Sequence, residues 1–129
     1  MEPNTKNQSL YERLGKAQGI SALVDDIVKA HMANAEIKAR FLPYKEDPDN
    51  LEEIKSHLAN FLCAGSGGPE QYTGRDMPAA HKGMNISEAE YLAATDDIMM
   101  VLKQHGIDEE SQKEVLAVVY SLKEEIVRL

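Results

Sequence analysis

His81 is the residue whose type and setting are best suited to chemistry, and it lies in the stretch PAAHKGMNIS. A neutral imidazole nitrogen binds transition metals, and a histidine also exchanges protons near neutral pH. Taken alone, a histidine at a helix end more often hydrogen-bonds to nearby backbone carbonyls. Other features of the chain must show whether His81 is a metal ligand or a polar residue at a helix end.

The chain has three further histidines and one cysteine. His57 lies on the apolar side of a predicted helix, where an iron ligand and a solvent-facing imidazole are equally consistent with the pattern. His31 ends an apolar stripe, which indicates a hydrogen-bonded core histidine rather than a ligand. His105 precedes Gly106 and fits a favourable charge near a helix C-terminus. Cys63 lies in an apolar stretch, so we expect a buried and unreactive thiol.

Composition excludes several classes of function. A net charge of −8 repels nucleic acid and anionic lipid surfaces, which bind proteins through clustered Lys and Arg. No apolar run approaches the roughly 20 residues that span a bilayer, and the first residues, MEPNTKNQ, lack the apolar stretch of a secretory signal. We therefore expect a cytoplasmic monomer with a frayed segment at 1–8 and a single domain at 9–129.

Apolar residues recur with the helical period of about 3.6, which predicts an all-α fold of about five helices. A short helix is predicted at 9–14, and the next has a buried stripe of Ile20, Leu23, Val24, Ile27 and His31. A brief helix at 35–41 is followed by one that Asp47 caps and that ends in GSGG. The last two are a helix at 87–104, which begins with a Ser87/Glu90 capping box, and one from Asp108 to Ile126.

The segment 69–84 has no clear period and predicts a loop with single helical turns, and it contains His81. Apolar side chains line the long helices, yet aromatic content is only 5%, with no Trp. A flat apolar ligand would fill the space between them. A haem is such a ligand, and its iron takes one imidazole and leaves its other face for a gas or a second side chain. The residues alone thus make His81 a candidate haem ligand.

Several stretches of the chain together resemble the group I truncated globins. They are SLYERLG at 9–15, LVDDIV at 23–28, RFLP at 40–43 and GGPEQYTGRDMPAAH at 67–81, and the spacing to the final two helices also agrees. The resemblance covers residues 9–127. It implies an all-α truncated globin fold, a two-on-two helical sandwich around haem b.

The resemblance also implies individual roles on the proximal side of that haem. It makes His81 the proximal iron ligand and Phe41 the aromatic ring that stacks on the haem face. Gly67 and Gly68 match a glycine motif that lets the family's loop wrap the proximal side.

Further residues match positions at the haem edge and walls. Tyr72, Arg75 and Met77 match edge positions, and Arg75 is suited to pair with a propionate, because an unpaired carboxylate near low dielectric is costly. Residues that would be core in any helical bundle become haem walls on this interpretation: Ile54, Leu58, Leu62, Met84, Tyr91 and Ile98.

The distal pocket departs from the family pattern. Val28 stands where these globins usually carry a tyrosine that hydrogen-bonds oxygen, and Ile54 and Leu58 stand where glutamine is common. His57 is the remaining polar group on that face and matches a histidine that binds the iron in some cyanobacterial members. The turn after Phe41 is longer than usual, and its Tyr44 has the length to fold inward.

These assignments predict reversible binding of a diatomic gas, O2, NO or CO, at a haem held by His81. His57 would either occupy the distal position or stabilise the gas. The alternatives are nitric oxide dioxygenation or weak peroxidase activity, which need an unidentified reductase or an oxidant, and a haem-free helical interaction module.

Overall fold

The computed structural model describes residues 8–74 and 76–128, and most of them lie in helices. The helices are α1 (Leu10–Arg13), α2 (Lys16–Ala33), α3 (Lys38–Phe41), α4 (Pro48–Gly65), α5 (Met77–His81), α6 (Glu88–Gln104), α7 (Glu109–Ser121) and α8 (Lys123–Ile126), with a 3₁₀ helix at Leu42–Glu46. The predicted all-α class is confirmed. Apart from residue 8, the segment that we expect to fray lies outside the described residues, and no described helix is long and apolar enough to cross a membrane.

Helix α2 is the centre of the fold because both α4 and α6 pack against it. The stripe that the helical period predicts is buried: Ile20 is fully inaccessible, and Leu23 and Val24 are nearly so. Cys63 from α4 and Val101 from α6 close the core on either side of this stripe. The cysteine is buried and unpaired, as predicted.

The predicted helix starts are confirmed by their caps. The side chain of Asp47 accepts a hydrogen bond from the backbone N–H of Asn50, and Asp108 caps α7 in the same way. At α6, the Ser87 hydroxyl accepts from the Glu90 N–H while the Glu90 carboxylate accepts from the Ser87 N–H, each at 3.1 Å. These contacts satisfy backbone donors that have no partner inside the helix.

The prediction of one continuous last helix is wrong. Helix α7 ends at Ser121, Leu122 forms its C-cap, and the chain turns before α8. The turn lets α8 pack against α5, and the backbone N–H of Arg128 donates to the Ile86 carbonyl at 2.8 Å. Apolar periodicity continues through the turn because both segments are buried on one side, so it does not reveal the break.

The region before α4 also differs from the prediction. The brief helix predicted at 35–41 begins only at Lys38, because the Asn34 side chain accepts from the Glu36 N–H at 3.0 Å and forms a turn first. The residues after Phe41, expected to form a turn, continue as the 3₁₀ helix with Pro43 near its start. Proline is tolerated there because the first N–H groups of a helix need no internal partner.

An ion pair attaches α3 to α6. The Arg40 guanidinium donates to both carboxylate oxygens of Glu90, and one of these contacts measures 3.1 Å. Arg40 and the Ser87 N–H together lower the pKa of Glu90 from 4.5 to about 2. One carboxylate thus caps α6 and holds the short helix that carries Phe41.

We predict that Glu90→Gln destabilises the protein by about 1–2 kcal/mol at pH 7, because the charge-assisted contacts with Arg40 are lost. Since the pKa of Glu90 is lowered on folding, its contribution is full above pH 4.5 and declines as the pH falls toward 2. Urea unfolding at pH 7 and at pH 3.5 measures this. The gap between wild type and variant should narrow at the lower pH, whereas Glu109→Gln, at an exposed first-turn position of α7, should show no such gap.

Candidate functional site

Helix α5 presents His81 at its last residue. Asp76 caps the start of the helix, where its side chain accepts from the Ala79 N–H at 2.8 Å, and Pro78 favours the first turn. The Nδ1 atom of His81 lies 2.8 Å from the Met77 carbonyl oxygen, one helical turn back. A carbonyl accepts only, so Nδ1 carries the proton and the Nε2 lone pair is left for a metal. The contact fits both interpretations of His81, because a metal-ligating histidine and a polar residue at a helix end each donate to a nearby carbonyl.

The loop that follows His81 is held by the end of the chain. The Met84 N–H donates to the His81 carbonyl at 3.1 Å, and Ile86 forms an isolated parallel bridge with Val127. Together with the packing of α8 on α5, these contacts fix the backbone on the C-terminal side of His81. The break between α7 and α8 therefore contributes to the placement of the imidazole.

Helix α4 presents a mixed apolar face. Leu62 packs against the core, Ile54 is half-buried, and Leu58 remains 37% exposed. A single exposed leucine is common on a protein surface and does not by itself indicate a ligand. Met84, after α5, is similarly exposed at 38%. Apolar side chains thus stay accessible both on α4 and beside His81.

His57 lies at the rim of this face. Its Nε2 atom is 3.6 Å from a carboxylate oxygen of Glu53, one turn earlier, and the imidazole is 44% exposed. The Tyr72 ring packs edge-on against both His57 and Phe61, with centroid distances of 6.3 and 5.3 Å. The structure thus brings two predicted site residues, His57 and Tyr72, together at the edge of α4.

The other predicted distal and face residues occupy α2, α3 and the 3₁₀ helix. Val28 is buried in the core and offers no polar atom, and Tyr44 is half-buried. The Phe41 ring packs against the His31 imidazole, with centroids 5.1 Å apart and planes at 37°. This ring contact was not expected from the sequence.

The remaining predicted site residues are distributed around α5 and α6. Met77 is half-buried, and Ile98 packs against the core. The Tyr91 hydroxyl donates to the Val119 carbonyl on α7, and burial raises the pKa of this phenol. Tyr91 therefore joins α6 to α7. Arg75 lies outside the described residues.

The glycine pair before the loop permits a close approach of chain segments. Gly67 has φ of +96°, a conformation that other residues adopt only at a cost. A Cβ on Gly68 would lie 2.5 Å from the Tyr11 ring. The Tyr11 hydroxyl donates to Glu70 at 2.9 Å and accepts from the Ala17 N–H at 3.1 Å. These contacts attach the start of the loop to α1 and α2.

The side chains of the described residues limit the kind of metal site that the chain can form. Within residues 8–74 and 76–128, no group of three His, Cys, Asp or Glu side chains is placed to hold a bare metal ion. His81 offers one imidazole nitrogen beside accessible apolar side chains. Such a site suits a flat apolar ligand that brings most of the metal's ligands with it, and a haem has this chemistry.

Sequence reasoning missed the partners of His31. The buried imidazole bonds through Nδ1 to the Asp97 carboxylate at 2.8 Å, and Asn34 donates to both carboxylate oxygens. The prediction that His31 is a satisfied core histidine is confirmed. An acidic residue among the apolar positions of α6 was the available signal, but helical periodicity does not pair residues so far apart in the chain.

Comparison with known proteins gives the family. The profile of the bacterial-like globins matches residues 9–128. A group 1 truncated hemoglobin of Synechocystis is 30% identical, over 85% of this chain and 88% of the relative. One of Tetrahymena pyriformis is 28% identical, over 95% of this chain and 97% of the relative. The chain belongs to the group I truncated globins of the bacterial-like globin family.

Solved structures show the same fold. Truncated hemoglobin from Tetrahymena pyriformis in the Fe(III) form superposes with a TM-score of 0.84 at 24% identity, covering 95% of this chain and all of the other. The 2/2 hemoglobin from Synechococcus, solved in the cyanomet state with covalently attached heme, gives a TM-score of 0.79 at 22% identity and covers 90% and 94%. The expected truncated globin fold is confirmed.

We predict that Gly68→Ala destabilises the protein by about 1–3 kcal/mol, because the new methyl group would overlap the Tyr11 ring and the Glu70 carboxylate. Urea unfolding measures the change. Gly65→Ala is the matched control, since a Cβ there meets nothing within 4 Å at the end of α4. Equal stability of the two variants would contradict the close approach described above.

Proposed function

We propose that this chain binds haem b through His81 and reversibly binds a diatomic gas, O2, NO or CO. The observation that carries the proposal is the match of residues 9–128 to the bacterial-like globins. It includes His81, whose Nδ1–H is engaged by the Met77 carbonyl so that Nε2 is left to bind iron. When bound, haem supplies a ferrous iron with one face open to a gas. The Synechococcus 2/2 hemoglobin carries covalently attached heme, which supports the same kind of cofactor here.

The hydrogen bond to Met77 has a chemical effect on His81. It fixes the imidazole tautomer and the rotation of the ring, and it makes Nε2 a stronger electron donor. The attached loop and α8 restrain the backbone that carries the ring. A pre-oriented imidazole loses little conformational entropy when it binds iron, so the protein contributes affinity as well as orientation.

Apolar side chains would complete the cavity on both sides of the ring. Leu58 on α4 and Met84 after α5 are each more than one-third exposed, and covering them with a flat apolar ligand is favourable by roughly 25 cal/mol per Å². Phe41 would stack on the ligand, and Tyr72 would lie at its edge. Arg75 matches a family position at the haem edge, and its cation would pair with a haem propionate.

We infer that Val28, Ile54 and Leu58 contribute no hydrogen-bond donor to the gas, which leaves His57 and Tyr44 as the distal side chains that carry one. Val28 is buried and apolar, and Ile54 and Leu58 supply no N–H or O–H. His57 faces Glu53 and Tyr72 at the rim, which supports an open sixth position rather than ligation by this imidazole. Unless His57 or Tyr44 donates to the gas, such a pocket favours CO and NO over O2, since bound O2 depends more on a donor. It also offers little acid–base help for peroxide cleavage, so gas binding ranks ahead of peroxidase activity.

We predict that the wild-type chain supplied with haem shows a Soret band and that His81→Ala loses it. Loss of the ligand should lower haem affinity by more than the roughly 10- to 100-fold that removing a supporting residue costs. Absorption titration with haem measures the affinity. His105→Ala, which changes another histidine at a helix end, should bind haem as wild type does. A wild-type chain that stays colourless would instead favour a haem-free interaction module.

We predict a five-coordinate ferrous spectrum for the wild type and the same spectrum for His57→Ala, because the His57 imidazole is directed to the rim. Absorption spectra of the ferric, ferrous and CO-bound forms test this. A six-coordinate ferrous spectrum that becomes five-coordinate in His57→Ala would contradict the prediction and make His57 the distal ligand.

A further inference from the structure

A buried pair of His31 and Asp97 connects the end of α2 to the middle of α6. The Nδ1 and Oδ2 atoms are 2.8 Å apart, and the side chains are 8% and 12% exposed. A buried carboxylate is costly unless several donors satisfy it. The Asp97 carboxylate therefore needs hydrogen-bond donors besides the His31 imidazole.

Asn34 supplies the further donors. Its Nδ2 atom lies 3.1 Å from each oxygen of Asp97 and 3.4 Å from the Ala93 carbonyl, while its Oδ1 accepts from the Glu36 N–H. Both ends of the amide are thus engaged. Because Asn34 is the C-cap of α2, the carboxylate is held in one orientation relative to that helix end.

The Phe41 ring packs on the face of this cluster. Its centroid is 5.1 Å from that of the His31 imidazole, at an interplanar angle of 37°. Helix α3, which carries Phe41, has only four residues and none is buried, so it cannot fix the ring by itself. Arg40 attaches the helix to Glu90, and the contact with His31 acts on the phenyl ring itself.

The charge state of the cluster is consistent with a fixed imidazole. Burial lowers the pKa of His31, and the hydrogen bond with Asp97 opposes this. Asp97 on α6 is the charged group that acts on the imidazole, while Arg40 on α3 is paired with Glu90. A neutral imidazole with its proton on Nδ1 donates to the carboxylate and keeps a single orientation.

We propose that His31, oriented by Asp97 and Asn34, is a positioning residue that seats the Phe41 ring against the haem. This inference rests on the proposed function, since the ring needs a haem to stack on. The imidazole does not touch the iron or the gas, and it acts through Phe41. Loss of its orientation frees the phenyl ring, and the haem then dissociates faster.

The test compares two histidine–aspartate pairs that join the same two elements. Asp97→Asn removes the carboxylate beside His31. Asp26→Asn removes the one beside His105, whose Nε2 lies 2.7 Å from Asp26 and which has no ring contact within the described part of the chain. Haem transfer to an excess of apomyoglobin measures the dissociation rate. We expect about a tenfold faster loss from Asp97→Asn, equivalent to about 1.4 kcal/mol, and little change from Asp26→Asn.

A spectroscopic measurement separates positioning from general destabilisation. Proton NMR of the haem-loaded chain, in the diamagnetic ferrous CO form, should show His31 ring protons displaced by the Phe41 ring current and restored toward ordinary values in Phe41→Leu. In Asp97→Asn the same displacement should shrink. If Asp97→Asn does not fold, Asn34→Ala removes the outer donors and should give the same two effects in weaker form.

Failure of haem binding and failure of the positioning role of His31 give different results. A wild-type chain that binds no haem would overturn both. Equal rates of haem loss from Asp97→Asn and Asp26→Asn, or unchanged His31 signals in Phe41→Leu, would overturn the positioning role alone.

Discussion

The burial of one side of α2 is the constraint on which the rest of the structure depends. Ile20 and Val28 are almost completely inaccessible, and burying a side chain of this size stabilises a fold by roughly 1.5–3 kcal/mol. Helices α4 and α6 both cover this stripe, so their positions are set by α2 and not by each other. Leu58 of α4 lies outside the core and remains 37% exposed.

Much of this arrangement could be predicted from the sequence because it is determined locally. The caps at Asp47, Ser87 and Asp108 act within three residues, and helical periodicity gives the buried stripe of α2 directly. The break at Leu122 could not be predicted, since it depends on α8 packing against α5. The pairing of Arg40 with Glu90 joins residues 50 positions apart, and periodicity shows that residues are buried without showing what they contact.

His81 and His31 show which hydrogen-bond partners can be predicted from the sequence and which cannot. The hydrogen bond from His81 follows from helix geometry, because its acceptor is the carbonyl four residues earlier. The motif around His81 therefore contains the information needed to interpret it. The partner of His31 is 66 residues away, so the apolar stripe indicates only that some acceptor must exist. Identical imidazoles thus reach different states, one bonded through Nδ1 to a carbonyl of its own helix and one held by a carboxylate in the core.

The apolar distal side has a physical rationale in the unliganded protein. A tyrosine at position 28 would place a hydroxyl in a region where Val28 is almost fully buried, and an unsatisfied buried hydroxyl costs about 1–3 kcal/mol whenever no gas is present. Valine avoids that cost, and it supplies no hydrogen-bond donor from α2 to the haem that we propose. On the proposed function, a donor to the gas would have to come from another element, and the His57 imidazole, which is 44% exposed and packs against Tyr72 at the edge of α4, does not lie in the core beside Val28.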